Sequence, residues 1–527
     1  MYPLRGLSWS KGPVSVSSRP SERWYRPWLE RLESREAPAV FNVPNGVINM
    51  APMSTSPGVF TAGLVDAITA ANTNMQADTI NLAGNGLYQF AAPAAGTMNL
   101  IATPFITLDT SAANSITING NGSTLQATGT SFRMFWVSSG VLFANNLTIA
   151  NASIPPSCCG GAGMVVGTSG TAPPNSSGTV DLTNVTFNAD IANNAGAALY
   201  MYGPNSSTTL TNCTFTNNIV QNGGAAGGTI VISGPNDTLT ITGSSISNNN
   251  SAGPAGGIAI HGTSDTVNIT NSVISGNTAT GNGGGLYVNG TGDTLTLNNS
   301  TVAGNTSGFN GGGGGFAIAG TSNTVNVVNS TISGNQEPAA VSAGAFFFEP
   351  NATPTLNITN SIITGNSGGY SGGIYCKPGG VGATVSITGS TIDSNTGNDA
   401  YGAGIGVNMG VLNITNSTIA NNIANKGTKG GSGRGAGLWI HVSTVNLRST
   451  TISGNQATSA TNGLGGGIYR YGAGGILNVT NCLIAGNTAA AYAPDFRDAL
   501  GNAAVSFSLI GNTQGDAIVN GTNNNIV

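Results

Sequence analysis

Few side chains in this 527-residue chain can do acid–base, nucleophilic or metal chemistry: charged residues make up 6%, with 2 histidines and 5 cysteines. Their spacing can still be compared, because one phrase, Asp265-Thr266-Val267-Asn268-Ile269-Thr270-Asn271-Ser272-Val273-Ile274-Ser275-Gly276-Asn277, recurs through residues 179–490. Its copies align on the last Asn, from Asn218 to Asn487, in steps of 27 (Asn395 to Asn422) to 33 residues (Asn422 to Asn455). One aligned column, just ahead of the Thr that opens the phrase, holds Asp237, Asp265, Asp293 and then Asn323. Carboxylates stacked about 5 Å apart could hold Ca²⁺, which takes six to eight oxygens. Asp in Gly-x-x-Asp-Thr is also a turn former, and the calcium-binding nonapeptide pattern of other solenoids is missing.

A second pair of columns lies upstream, after a Gly pair. One reads Tyr200, Tyr287, Phe347, Tyr375, Trp439 and Tyr469 among small residues; two residues further on, the other reads Tyr202, Glu349, Lys377, His441 and Tyr471. Both columns are expected to face outward. Aromatic faces with nearby hydrogen-bonding groups suit sugar rings, and outward aromatics also simply shield a strand ladder. Glu349 and Lys377 place opposite charges one copy apart. His261 and His441, six copies apart and so nearly 30 Å by strand spacing, cannot share a site and read as lone surface residues. The basic, Gly-rich stretch 426–434 reads as a solvated insert or a contact for acidic glycans.

The elements that must position these residues follow from the period. Each step carries three short alternating strands, too long for a hexapeptide helix and without the helical half of a leucine-rich repeat. The expected fold is all-β: a single right-handed parallel β-helix of about 13 coils, three strands per coil, with a rod on the order of 60 Å long at ~4.8 Å per coil. Val267, Ile269 and Ile274 are expected inside, Asn268 and Thr270 outside. Asn at the bends tolerates left-handed backbone, and stacked Asn side chains bond along the rod. Leu64, Val65, Ile68 and Ala71 fall at helical spacing, predicting a short amphipathic helix that covers the first rung. The expected division is a leader over 1–40, an N-terminal cap over 41–112, the β-helix over 113–515, and a C-terminal tail over 516–527, with truncation at Val527 left open.

Low charge and abundant Val, Ile and Thr exclude a disordered polyelectrolyte; a net charge of -4 argues against nucleic acid or anionic membrane as partner. No window approaches 18 apolar residues, so no transmembrane helix is expected. Cys213 and Cys482 fill the slot of Ser272, Ser300 and Ser330, which makes them small buried side chains; a bridge from the Cys158-Cys159 pair to Cys213 is the other reading.

Three stretches carry a resemblance. The corner pattern Gly-Gly-[Gly/Ala]-[Ile/Leu/Phe] followed by [Ile/Phe]-x-x-Asn, matched literally by Phe215-Thr216-Asn217-Asn218, resembles the repeats of polymorphic outer-membrane-protein and related autotransporter-passenger-like bacterial β-helix surface proteins. Gly63-Leu64-Val65-Asp66-Ala67-Ile68-Thr69-Ala70-Ala71-Asn72 is similar to the cap preceding many of them, with Val65-Asp66 in place of its Arg-Glu. The Leu-Glu-x-Arg-x-x-Pro-Ala type of phrase near residue 36 resembles a leader on large secreted bacterial proteins. The resemblance implies a secreted or cell-surface bacterial protein with a structural or adhesive role, binding an extracellular glycan or protein partner. The alternative is a polysaccharide lyase or glycoside hydrolase of the β-helix type. Such enzymes need clustered Asp with Lys, Arg or His on adjacent coils, whereas Asp190 and Asp393 stand alone, so no catalytic residue is assigned and no cofactor is expected beyond the optional Ca²⁺.

Overall fold

The computed structural model describes residues 38–527 other than 74–75, 94–105, 108–114, 130–131, 155–159, 172–173, 225, 309–311, 339–341, 351, 377–381, 428–432, 515–517 and 519–520. Met1–Ala37, which includes most of the expected leader, lies outside the described residues, as do Lys377, Cys158 and Cys159. Pro38–Val527 is one compact unit. It is a right-handed parallel β-helix with one short α-helix, Leu64–Thr73. Among the described residues no helix is long and apolar enough to cross a membrane.

One coil shows why the sequence folds this way. The first strand, Ile258–Ile260, pairs in parallel with Leu286–Val288 of the next coil and Ile230–Ile232 of the previous one. The second, Thr266–Thr270, alternates as predicted, with Val267 and Ile269 buried and Thr266, Asn268 and Thr270 half-exposed. Asn271 then turns the chain in left-handed geometry at φ 51°, which Asn tolerates at low cost, and the third strand, Val273–Ser275, buries Ile274. A fourth, two-residue strand, Thr278–Ala279, was not expected; five such strands pair up the rod from Ile191–Ala192, and another five from Ser367–Gly368.

The recurring Asn residues divide their work in a way the alignment did not separate. Left-handed geometry belongs to residues such as Asn271, Asn299 and Asn329. The last Asn of each phrase points inward. Asn249 donates from Nδ2 to Asn277 Oδ1 (2.9 Å) and to Phe215 O (3.1 Å), and its backbone N–H reaches the same Oδ1 at 3.1 Å. The pattern repeats to Asn487 and ends on Asp495, whose Oδ1 accepts both Asn487 donors. At the other end, Asp190 takes the Asn place, with Oδ1 accepting the Ala152 N–H. A buried amide that satisfies both its donors and its acceptor fixes coil register at little net cost. Ser272, Ser300 and Ser330 form a second buried ladder, each Oγ accepting the N–H one coil back. Cys213 and Cys482 sit in that column as buried free thiols, as expected, and burial pushes the Cys213 thiol up to about 11. The interior is otherwise apolar, with in-column ring stacks such as Phe316 on Phe346 at 4.5 Å.

Both ends join the same architecture. Val40–Val43 already pairs with Ala77–Leu82, and the helix buries Leu64, Ala67, Ile68 and Ala71 in the shared core while Val65 is half-buried. The segment expected as a tail adds to the ladder: Asn525 Oδ1 accepts the Ser508 N–H at 3.1 Å, and Ile526 pairs with Leu509.

Candidate functional site

The first-strand sheet corrects one expectation. Its outward column is buried: Phe347 is 0% exposed, and Tyr200, Tyr287, Tyr375, Trp439 and Tyr469 each remain below a tenth. The Gly-rich corners explain this. They fold back over the outer face of the sheet, placing Ala195 and Ala255 on the Tyr200–Tyr287 column and Tyr370 and Tyr401 against Tyr375. Close passage of one coil over the next demands glycine there: a Cβ on Gly256 would stand 2.6 Å from Gly284 O. The sheet is therefore buried on both faces, and a thin outer layer separates it from solvent. Of the second expected column, Tyr202, Glu349 and His441 are half-buried and Tyr471 is 51% exposed.

Within this layer the C-terminal coils bring aromatic rings into one continuous run. Phe347 meets Tyr375 (6.4 Å between centroids), Tyr375 meets Tyr370 (5.2 Å), Tyr370 meets Tyr401 (5.0 Å) and Tyr401 meets Trp439 (5.2 Å). Trp439 stacks on His441 (5.6 Å), and His441 on Tyr471 (5.5 Å, 15° between planes). His441 is thus not a lone residue. Its Nδ1 lies 2.8 Å from Asn408 Oδ1, and partial burial holds its pKa below the usual imidazole value. The outer edge of the run, made of Tyr370, Tyr401, His441 and Tyr471, is open to solvent.

Two arginines close the run at its C-terminal end. Arg434 occupies the Tyr401 place one coil on. Its guanidinium stacks 5.3 Å over Tyr469, with Nη1 3.4 Å from the Tyr469 hydroxyl. Arg497, paired in register with Tyr469, stacks 5.3 Å over the exposed Tyr492. Burial raises the Tyr469 pKa, against the pull of both guanidiniums. Sequence reasoning missed Tyr370, Tyr401, Tyr492 and Arg497; an aromatic or Arg directly ahead of a corner's small residues (Tyr401-Gly402, Arg434-Gly435) is the signal that marks this column.

The N-terminal coils carry a smaller group. His261 sets its ring edge against Tyr287 at 5.6 Å and places Nε2 2.9 Å from Ala226 O, so it too is partnered; burial lowers its pKa. Glu349 reaches back two coils, where Asn282 Nδ2 donates to its Oε1 and the Tyr287 hydroxyl is hydrogen-bonded to both. Burial, then the Glu349 charge, pushes the Tyr287 pKa up. The expected Glu349 and Lys377 pairing falls partly outside the described residues.

The aspartate column is also placed differently from the calcium expectation. Asp237, Asp265 and Asp293 are each 1% exposed. Oδ1 of each accepts the backbone N–H one coil back: Ser206 at 2.7 Å, Asp237 at 2.8 Å and Asp265 at 3.0 Å. Asn323 continues the ladder by accepting the Asp293 N–H at 2.9 Å. The Oδ2 atoms turn in against Gly234, Gly262 and Gly290. Burial raises all three carboxyls, Asp237 to about 7 and Asp265 to about 8. A Ca²⁺ ion wants six to eight oxygens, and among the described residues no group of three His, Cys, Asp or Glu could hold a metal. The column is an inward structural ladder, and its residues do not fit the ion.

Comparison with known proteins agrees with this architecture. Residues 135–332 match the family model described as the right handed beta helix region. No curated protein and no solved structure matches the chain.

Proposed function

We propose that this chain is a bacterial secreted or surface-displayed β-helix with an adhesive role, and that it contacts extracellular glycan through the solvent edge of the C-terminal aromatic run. The observation that carries the reading is the sequence of touching rings Tyr401, Trp439, His441 and Tyr471, anchored from below by packing and open along one edge. Rings held rigid by their neighbours lose little entropy on binding, and their faces suit the apolar face of a sugar while hydroxyl and imidazole groups meet its edge. A charge-poor exterior of Thr, Asn and Ser also supports an extracellular scaffold. The test is a glycan array with His441→Ala/Tyr471→Ala, two side chains that can be removed without opening the core. Binding should fall while circular dichroism stays unchanged; undiminished binding overturns the reading.

A second reading, a polysaccharide-cleaving enzyme, is favoured by the Tyr287, Glu349 and Asn282 cluster, which joins a carboxyl to a phenol of raised pKa. It predicts release of reducing or unsaturated sugars that Glu349→Gln abolishes; no release from a panel of polysaccharides ends it.

A further inference from the structure

We infer that the ligand of the C-terminal aromatic edge is an acidic polysaccharide, one bearing carboxylate or sulfate groups. The inference rests on the glycan reading above and adds the ligand's charge. It starts from an asymmetry in the sequence. Residues 41–399 hold 12 Asp and Glu against two basic residues, Arg133 and Lys377, whereas residues 400–494 hold five basic residues, Lys426, Lys429, Arg434, Arg448 and Arg470, and no acid. Folding decides which of these charges reach the surface. Arg470 is buried in an ion pair with Asp498 at 3.3 Å, so that carboxylate already has a partner. Asp495 spends its oxygens on Asn487 and the Asn512 N–H inside the rod, and Asp399, buried beside the 426–434 corner, accepts the Gly427 N–H at 3.1 Å. Lys426 and Arg448 are exposed, and Arg434 and Arg497 are half-exposed.

Two of these cations are built into the aromatic edge. Arg434 and Arg497 lie on either side of Tyr469, one reaching up from the corner and the other standing one coil above. The hydrogen bonds that orient Arg434 run to Asn462 O (3.3 Å), Asn462 Oδ1 (3.5 Å) and the Tyr469 hydroxyl. All three are long and uncharged acceptors, so its positive charge is aimed but not neutralised. A guanidinium fork matches carboxylate and sulfate oxygens, and stacking on a tyrosine holds it in place before a ligand arrives. A chain of sugars lying along Tyr401, His441 and Tyr471 would bring its acidic groups past this end of the run.

The experiment measures binding of the full chain to immobilised alginate (carboxylate), carrageenan (sulfate) and dextran (neutral), with duplex DNA and anionic phosphatidylserine vesicles as other polyanions. The expected result is binding to alginate or carrageenan over dextran, weakened about tenfold or more by Arg434→Gln/Arg497→Gln and by high salt, with Arg448→Gln unchanged as the control for charge elsewhere. Which of the two acidic polymers is preferred identifies the acidic group. Equal binding to dextran, with the double Gln variant unaffected, overturns the acidic inference and leaves the glycan reading standing if His441→Ala/Tyr471→Ala still weakens binding. Tighter binding to DNA or vesicles, or an equal loss in Arg448→Gln, overturns it in favour of unspecific charge attraction. No binding to any glycan overturns both.

Discussion

The two halves of the outer layer are built on the same coil and differ in what the coil carries. In the N-terminal half, small residues such as Val231, Ala259 and Ala317 separate the rings, and an aspartate ladder stiffens the turn after the first strand. In the C-terminal half the rings touch without interruption, the Asp and Asn residues of the turn column give way to Pro354, Ala383, Gly410, Ser443 and Gly475, and basic side chains become more frequent. The backbone tolerates either version because register is held elsewhere, by the inward Asn and Ser ladders. Outer-layer side chains can therefore vary without disturbing the rod, as expected for a solenoid whose backbone pairs each coil with its neighbours.

The largest expected effect tests whether the outer layer is packed at all. Phe347→Ala should cost about 3–5 kcal/mol, as for a fully buried core ring, in chemical denaturation followed by circular dichroism. A cost below 1 kcal/mol would show that the corners cover the sheet only loosely. Next, Asn335→Ala removes both a donor and the acceptor for Asn305 and should cost about 2–3 kcal/mol. Asn357→Ala, in the half-exposed outward Asn pair, should cost under about 1 kcal/mol; equal losses would remove the distinction between the two kinds of Asn.

A different measurement separates the halves by pH. Asp237 and Asp265 hold their protons to about pH 7 and 8 when folded, against about 3.9 for an unfolded Asp. Since the folded state binds more protons between about pH 4 and 8, the contribution of these groups to stability is highest below about pH 4, falls as pH rises, and is fully lost above the folded values near 7 and 8. Replacing Asp237, Asp265 and Asp293 with Asn, the residue already present at position 323, should flatten the curve of unfolding midpoint against pH. A triple variant as pH-sensitive as the parent contradicts the ladder assignment. The smallest effect belongs to Tyr471→Ala, within about 0.5 kcal/mol of the parent, because this ring stands in solvent.

The scaffold was readable in the sequence because its signals are periodic. Val267, Ile269 and Ile274 alternate into the core, Asn271 marks a left-handed bend, and residues 64–71 give a helical face. The outer layer was less readable for a physical reason. Period-2 reasoning assumes one wet face, whereas the first strand has two dry ones. Its signature is the unbroken apolar triplet, Ile230-Val231-Ile232 or Phe346-Phe347-Phe348, which marks a strand covered on both sides. Tyr370, Tyr401 and Arg434 sit in corners of variable length, where alignment by period loses its hold. The aspartates read as turn formers, with calcium ligation as the other use, because both want a carboxylate after a glycine; their inward direction decides between them.

The central claim, that ligand contact belongs to the C-terminal aromatic edge, is tested most directly by hydrogen exchange of the full chain with and without saturating alginate or carrageenan. Protection should concentrate at residues 433–441 and 469–472 and leave residues 258–262 unchanged. Protection confined to the N-terminal coils, or to the Thr- and Asn-lined faces of the second and third strands, would contradict it.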